Sequence, residues 1–104
     1  MKRIGQMMYL HADAYEEYQK RHRMLFPEMR QALKKAGAHN YSIFLNRSTG
    51  QLFAYLEVDN PEQYAAIAQT EAAQKWWEYM APLMDTNFDR SPVTVDLDEV
   101  FHLD

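Results

Sequence analysis

The spacing of hydrophobic positions along the chain changes several times, and each change marks an element. Arg3 to Leu10 is a short apolar-rich run free of Gly and Pro after Gly5, which predicts a first strand. Asp13 stands where a helix cap would sit and Glu16 follows three positions later, so a helix is expected to open at Asp13 and run to about Ala36. Pro27 lacks a backbone donor and disfavours helical geometry at Phe26, which predicts a kink or break inside that helix, and Gly37 supplies its stop. From Ala38 to Arg47 the pattern alternates, with Tyr41, Ile43 and Leu45 on one face and Asn40, Ser42 and Phe44 on the other. Ser48-Thr49-Gly50 reads as a turn. Gln51 to Val58 alternates again, so the two strands form a hairpin. Asn60 and Pro61 restart helix, with Gln63 as the expected capping partner, and Thr70 offers a second cap that would divide this helix before Pro82. After a polar, irregular stretch from Asp85 to Pro92, a last strand is expected from about Asp98 to Leu103.

The resulting order, β-α-β-β-α-β, is the α+β arrangement called ferredoxin-like, an antiparallel sheet with helices on one face. Two helices leave the other sheet face bare, and a bare apolar face is unstable in water, so pairing of two copies through their sheets is expected. The 104 residues are the length of one domain, residues 1–104.

Charge and composition narrow the functions. The formal net charge is -4 and no Lys or Arg run is long enough to track phosphates, so nucleic acid is not an expected partner. The chain has no cysteine, which removes disulfides, thiolate nucleophiles and cysteine metal sites and fits a reducing, cytoplasmic setting. Met1 to Gln6 reaches polar residues before a long apolar stretch develops, so neither a signal peptide nor a membrane span is expected. The four histidines lack a compact metal spacing, and none of the three glycines lies in a phosphate-binding pattern; neither metal nor cofactor is expected.

Two clusters carry possible chemistry. Tyr15, Tyr18 and His22 lie at i, i+3 and i+7, on one side of the first helix. Such a stripe is also what an ordinary core face looks like, but three hydrogen-bonding tips facing a sheet each need a partner, and a bound polyol would provide one. Trp76 and Trp77 are adjacent on a helix and point about 100° apart, so they cannot share one core position. They could be one core and one interface residue, or flat walls for the C–H face of a sugar, with Tyr41 joining them if its strand face points at the helices. His11, His39 and His102 read as solvated or core-satisfied residues rather than sites, and the pairs Glu16-Glu17 and Asp98-Glu99 as solvated charges.

Four blocks in order, Tyr15 to His22, Phe26-Pro27-Glu28, Gly37 to Ile43 and Trp76 to Met80, resemble the L-rhamnose mutarotases, and the likeness extends to Glu99 to Leu103. The resemblance implies a dimeric α+β barrel, no cofactor, and anomer interconversion of L-rhamnose by acid-base chemistry. It implies His22 as proton donor and Tyr18, Tyr41, Trp76 and Trp77 as sugar-contacting residues. Arg23 stands where Asn is common in that family, Phe26 where Trp is common, and Asn87 to Pro92 departs from the frequent pattern. Two other functions fit the same architecture: a cofactor-free monooxygenase, on fold analogy alone, and a non-catalytic sugar-binding module in which His22 only hydrogen-bonds its ligand.

Overall fold

The computed structural model describes all 104 residues. Strand β1 spans Lys2–Tyr9, helix α1 Tyr15–Arg23, α2 Pro27–Lys35, β2 Ala38–Asn46, β3 Gln51–Val58, α3 Pro61–Ala65, α4 Glu71–Met80 and β4 Val95–Leu97, with short 3-10 turns after α3 and α4. The four strands form one sheet in the order β2-β3-β1-β4, every neighbouring pair antiparallel. This is the ferredoxin-like topology predicted above. No helix is long and apolar enough to cross a membrane.

Strand β3 anchors the layers. Leu52, Ala54, Leu56 and Val58 alternate along it and are all buried, Leu56 and Val58 completely. Burying a side chain of this size contributes roughly 1.5–3 kcal/mol, so this face holds the sheet to its helical cover. Met8, Met29, Ile67, Trp76 and Met80 complete the core from β1 and the helices. The opposite sheet face keeps a row of large apolar groups, Phe44, Phe53, Met7 and Val95, in register across all four strands. Phe44 is 66% exposed.

Local chemistry sets the boundaries. The break predicted at Pro27 is present: α1 ends at Arg23, Phe26 is extended, and Pro27 opens α2. Gly37 ends the run at φ +83°, a conformation costly for any residue with a Cβ. Asn60 caps α3 by accepting from the amides of Glu62 and Gln63, and Thr70 caps α4 by accepting from Ala73.

Three expectations are corrected. Helix α1 starts at Tyr15 with Ala14 at its cap position and no side-chain cap bond. Asp13 lies one residue too early, in a turn closed by the Ala14 amide on the His11 carbonyl. Gln63 does not complete a capping box; its side-chain amide donates to the Lys35 carbonyl. The last strand is Val95–Leu97 rather than Asp98–Leu103. It pairs with Gly5 to Met7, and beyond Leu97 the chain leaves the ladder while Glu99 bonds the Arg3 guanidinium.

Candidate active site

Between the inner face of the sheet and its helices lies a cavity of about 640 Å³, a size that suits a small ligand. Helix α1 contributes Tyr15, Tyr18 and His22, so the stripe seen in the sequence points into it. Trp76 and Trp77 come from α4 and Tyr41 from β2. The five residues implied by the family resemblance are thus brought to one space. Trp76 is buried in the core, whereas Trp77 is only half-buried.

Tyr41 reaches the cavity through a β-bulge. The pairing of β2 with β3 shifts between His39 and Ser42, so Asn40 and Tyr41 together oppose Leu56. Asn40 takes up the extra residue at φ +48°, a region that Asn enters more easily than most side chains, and its amide donates to Glu57. Beyond the bulge, Tyr41, Ile43 and Leu45 all line the cavity.

His22 is held from several sides. Its ring stacks obliquely on Tyr18, centroids 4.3 Å apart, and meets Trp76 edge-on at 5.3 Å. Its Nδ1 lies 3.1 Å from the Tyr18 carbonyl oxygen. A carbonyl only accepts, so Nδ1 carries the hydrogen and the neutral ring presents an unprotonated Nε2. Loss of hydration lowers the His22 pKa, and the backbone bond partly offsets this. Neutral imidazole therefore predominates at neutral pH.

The phenols are affected in the opposite sense. Burial pushes Tyr18 well above the ordinary tyrosine range. Tyr41 is raised further, first by lost hydration and then by the neighbouring Tyr64 and Tyr18 phenols. Tyr41 keeps 38% of its surface open, so this push is felt by a phenol that is only partly covered. None of these groups ionises near neutrality, so they act here as hydrogen-bonding phenols. No Asp or Glu side chain lines the cavity. His22 is the half-buried imidazole among the cavity's titratable groups, and phenols stand beside it.

A second layer supports the histidine. Phe26 packs edge-on against Trp76 and tilted against Tyr79, each at 5.0 Å. The Arg21 guanidinium lies 4.0 Å from the centre of the Tyr79 ring and donates to the Tyr79 carbonyl and to Glu17. These contacts tie α1 to α4, the helices that carry His22 and Trp76.

Sequence reasoning missed Tyr64, which lines the cavity from α3; the one available sign was an aromatic residue one turn after the Asn60 cap. It also missed Arg30, Lys34, Arg47 and Arg90, all of which line the cavity in a chain whose net charge is negative. His11 and His102 lie outside the cavity beside Asp85 and Asp104. His39 is exposed and paired with Asp59, yet it borders the cavity. Glu17 and Glu99 are paired with Arg21 and Arg3 rather than simply solvated.

The profile of the L-rhamnose mutarotase family matches residues 3–103. An L-rhamnose mutarotase of Lactiplantibacillus plantarum is 68% identical over 104 residues, covering 100% of both chains. The crystal structure of an L-rhamnose mutarotase from Formosa agariphila superposes with a TM-score of 0.92 at 38% identity, again covering 100% of both chains. An antibiotic biosynthesis monooxygenase superposes with a TM-score of 0.64 at 15% identity, over 96% of this chain and 99% of its own. At that identity the likeness is one of fold.

Proposed function

The chain belongs to the L-rhamnose mutarotase family, and from that membership we propose that His22 carries the protons by which it interconverts the α and β anomers of L-rhamnose. Exchange requires the bond between C1 and the ring oxygen to break. A proton reaches the ring oxygen, the anomeric hydroxyl gives up its own, and the electron pair left there forms the aldehyde. Rotation about the C1–C2 bond presents the other face, and reversal of the same steps closes the ring.

The observation that carries this reading is the tethered imidazole on a cavity wall without carboxylates. Burial makes protonated His22 a stronger acid than a free histidine, suited to protonating the ring oxygen. The neutral ring left behind is ready to take that proton back on closure. Acid-base help of this kind gives roughly 10²–10⁴-fold, enough for a reaction that proceeds slowly unaided. Tyr18 and Tyr41 would hydrogen-bond the sugar hydroxyls, and Trp76 and Trp77 would pack against its C–H face and exclude water.

Three further readings accompany this one. Residues 1–104 act as one catalytic domain, to which β1, β3 and all the longer helices contribute core. Two copies pair through the open sheet face as a homodimer, supported by the apolar row from Phe44 to Val95. The protein works in the cytoplasm, where reducing conditions suit a chain without cysteine.

The test is a His22→Ala variant incubated with L-rhamnose, with exchange between the anomeric proton signals measured by saturation-transfer NMR. Exchange at the uncatalysed rate is expected. A variant as fast as its parent overturns the role of His22.

A further inference from the structure

Between α4 and the segment Asn87 to Pro92 lies a second cleft, of about 440 Å³. It abuts the larger cavity, because Trp77 and Arg90 line both. Trp77 and Phe88 supply its aromatic surface, and Gln74, Glu78 and Asp89 its polar groups. The segment facing α4 is braced. Its ends meet as a bridge between Thr86 and Pro92, the Asn87 amide donates to the Ser91 carbonyl at 2.7 Å, and the Asn87 side chain reaches the Ser91 hydroxyl and the Pro92 carbonyl. Asp89 accepts from the Ser91 amide. On this turn Phe88 stands fully in water. A lone exposed ring needs no explanation, but this one shares a cleft with a tryptophan that also walls the larger cavity. Arg90 sits at φ +72°, a costly backbone region for a long side chain and one that recurs where ligands are clamped. A 3.3 Å ion pair to Glu78 on α4 holds its guanidinium at the junction of the two spaces.

We propose that this cleft is a second sugar subsite, so that the protein also takes rhamnose standing at the reducing end of an oligosaccharide, with the neighbouring unit held by Phe88, Trp77 and the Glu78–Arg90 pair. This rests on the reading of the larger cavity as the rhamnose site. Ring opening needs a free hydroxyl at C1, so a glycosidic bond to O2, O3 or O4 leaves the chemistry intact and is not itself broken. A rhamnose whose C1 faces His22 has C4 on the far side of its ring. A sealed cavity would reject a substituent there, whereas the junction at Trp77 and Arg90 gives it a place to go. The C–H faces of a second pyranose pack well on flat aromatic rings. Its neighbouring hydroxyls both donate and accept, which suits a carboxylate beside a guanidinium. Arg90 spends one nitrogen on Glu78 and has donors to spare.

The experiment measures anomer exchange by saturation-transfer NMR, over a range of concentrations, for L-rhamnose and for the reducing rhamnobioses linked through O2, O3 and O4. Parent and Phe88→Ala are compared. Phe88 is fully exposed and lies outside the larger cavity, so the variant is expected to fold and to turn over L-rhamnose as its parent does. For at least one rhamnobiose the parent is expected to half-saturate at a concentration about tenfold lower than for L-rhamnose, the low end of what a small added apolar contact is worth in a binding site. Phe88→Ala is expected to cancel that advantage. The proposal is overturned if every rhamnobiose goes unexchanged or half-saturates no lower than L-rhamnose, or if Phe88→Ala keeps the advantage in full. Sedimentation of both proteins covers the other occupant: a variant that loses self-association assigns Phe88 to a contact between copies and also overturns the subsite. If the parent accelerates L-rhamnose but no rhamnobiose, only the second subsite fails. If it accelerates neither, the reading of the larger cavity fails and takes this one with it.

Discussion

His22 donates its Nδ1 hydrogen to the carbonyl of Tyr18, one turn earlier on the same helix. The contact fixes the tautomer without a charged partner, so Nε2 alone titrates and the pKa of the ring is governed by hydration rather than by a carboxylate. The histidine is therefore poised by burial, and two measurements should register it.

The first is the dependence of rate and stability on pH. Because the folded pKa lies below the unfolded value of about 6.5, the unfolded chain binds more protons as pH falls. Stability is then undiminished by His22 above about pH 6.5 and declines below it, until the folded pKa is passed. The urea midpoint of the parent should fall between pH 7.5 and 5.5 by more than that of a His22→Gln variant. With His22 donating during ring opening, the anomer exchange rate should rise as pH falls and level off below 6.5, at the depressed pKa.

The two tryptophans should separate stability from binding. Trp76 is buried among His22, Phe26 and Tyr79, so Trp76→Ala should cost roughly 3–5 kcal/mol of folding free energy. Trp77 is half-buried on the cavity wall. Trp77→Ala should cost clearly less stability but weaken sugar binding, read as a higher sugar concentration at half-saturation in an NMR titration. Equal losses in urea would contradict this division.

The hairpin turn offers a test of backbone geometry. Gly50 sits at φ +80°, and a Cβ there would stand 2.7 Å from the Leu10 carbonyl oxygen. Gly50→Ala should therefore destabilise by about 1–3 kcal/mol, the usual cost of a strained backbone position, seen as a lower thermal midpoint.

Assembly can be tested on the open sheet face. A Phe44→Glu substitution places a charge in the apolar row formed with Phe53, Met7 and Val95. The parent is expected to sediment as a dimer and the variant as a monomer. A monomeric parent would remove the sheet face as an interface.

Much of this structure was legible in the sequence because local signals agree with the packing. Pro27 breaks the first helical run, Asn60 and Thr70 cap theirs, and the alternation in β3 falls on the buried face as written. The helical spacing of Tyr15, Tyr18 and His22 marked one wall of the cavity. Asp13 misled because a good capping side chain helps only at the residue where the turn hands over to the helix, and the turn at His11 places that handover at Ala14. Strand β4 was misplaced although Val93, Val95 and Leu97 alternate with polar residues; the apolar Val100, Phe101 and Leu103 gave the stronger local signal, but they are exposed and unpaired. Tyr64 was missed because its place on the cavity wall depends on how α3 docks against α2, which no local pattern encodes.

The extra residue in β2 also has a bearing on how this site tolerates change. Ala38 and Tyr41 both face the helices although three positions separate them, an odd interval that an unbroken strand would assign to opposite sides. Asn40 absorbs the difference. Excising it would leave the tyrosine across from Leu56 and every later side chain on its present side, while straightening the bend from which the phenol now projects. Strand pairing and phenol aim are therefore separable quantities here, and the direction of that one ring can be altered without disturbing the partners of the rest of the sheet.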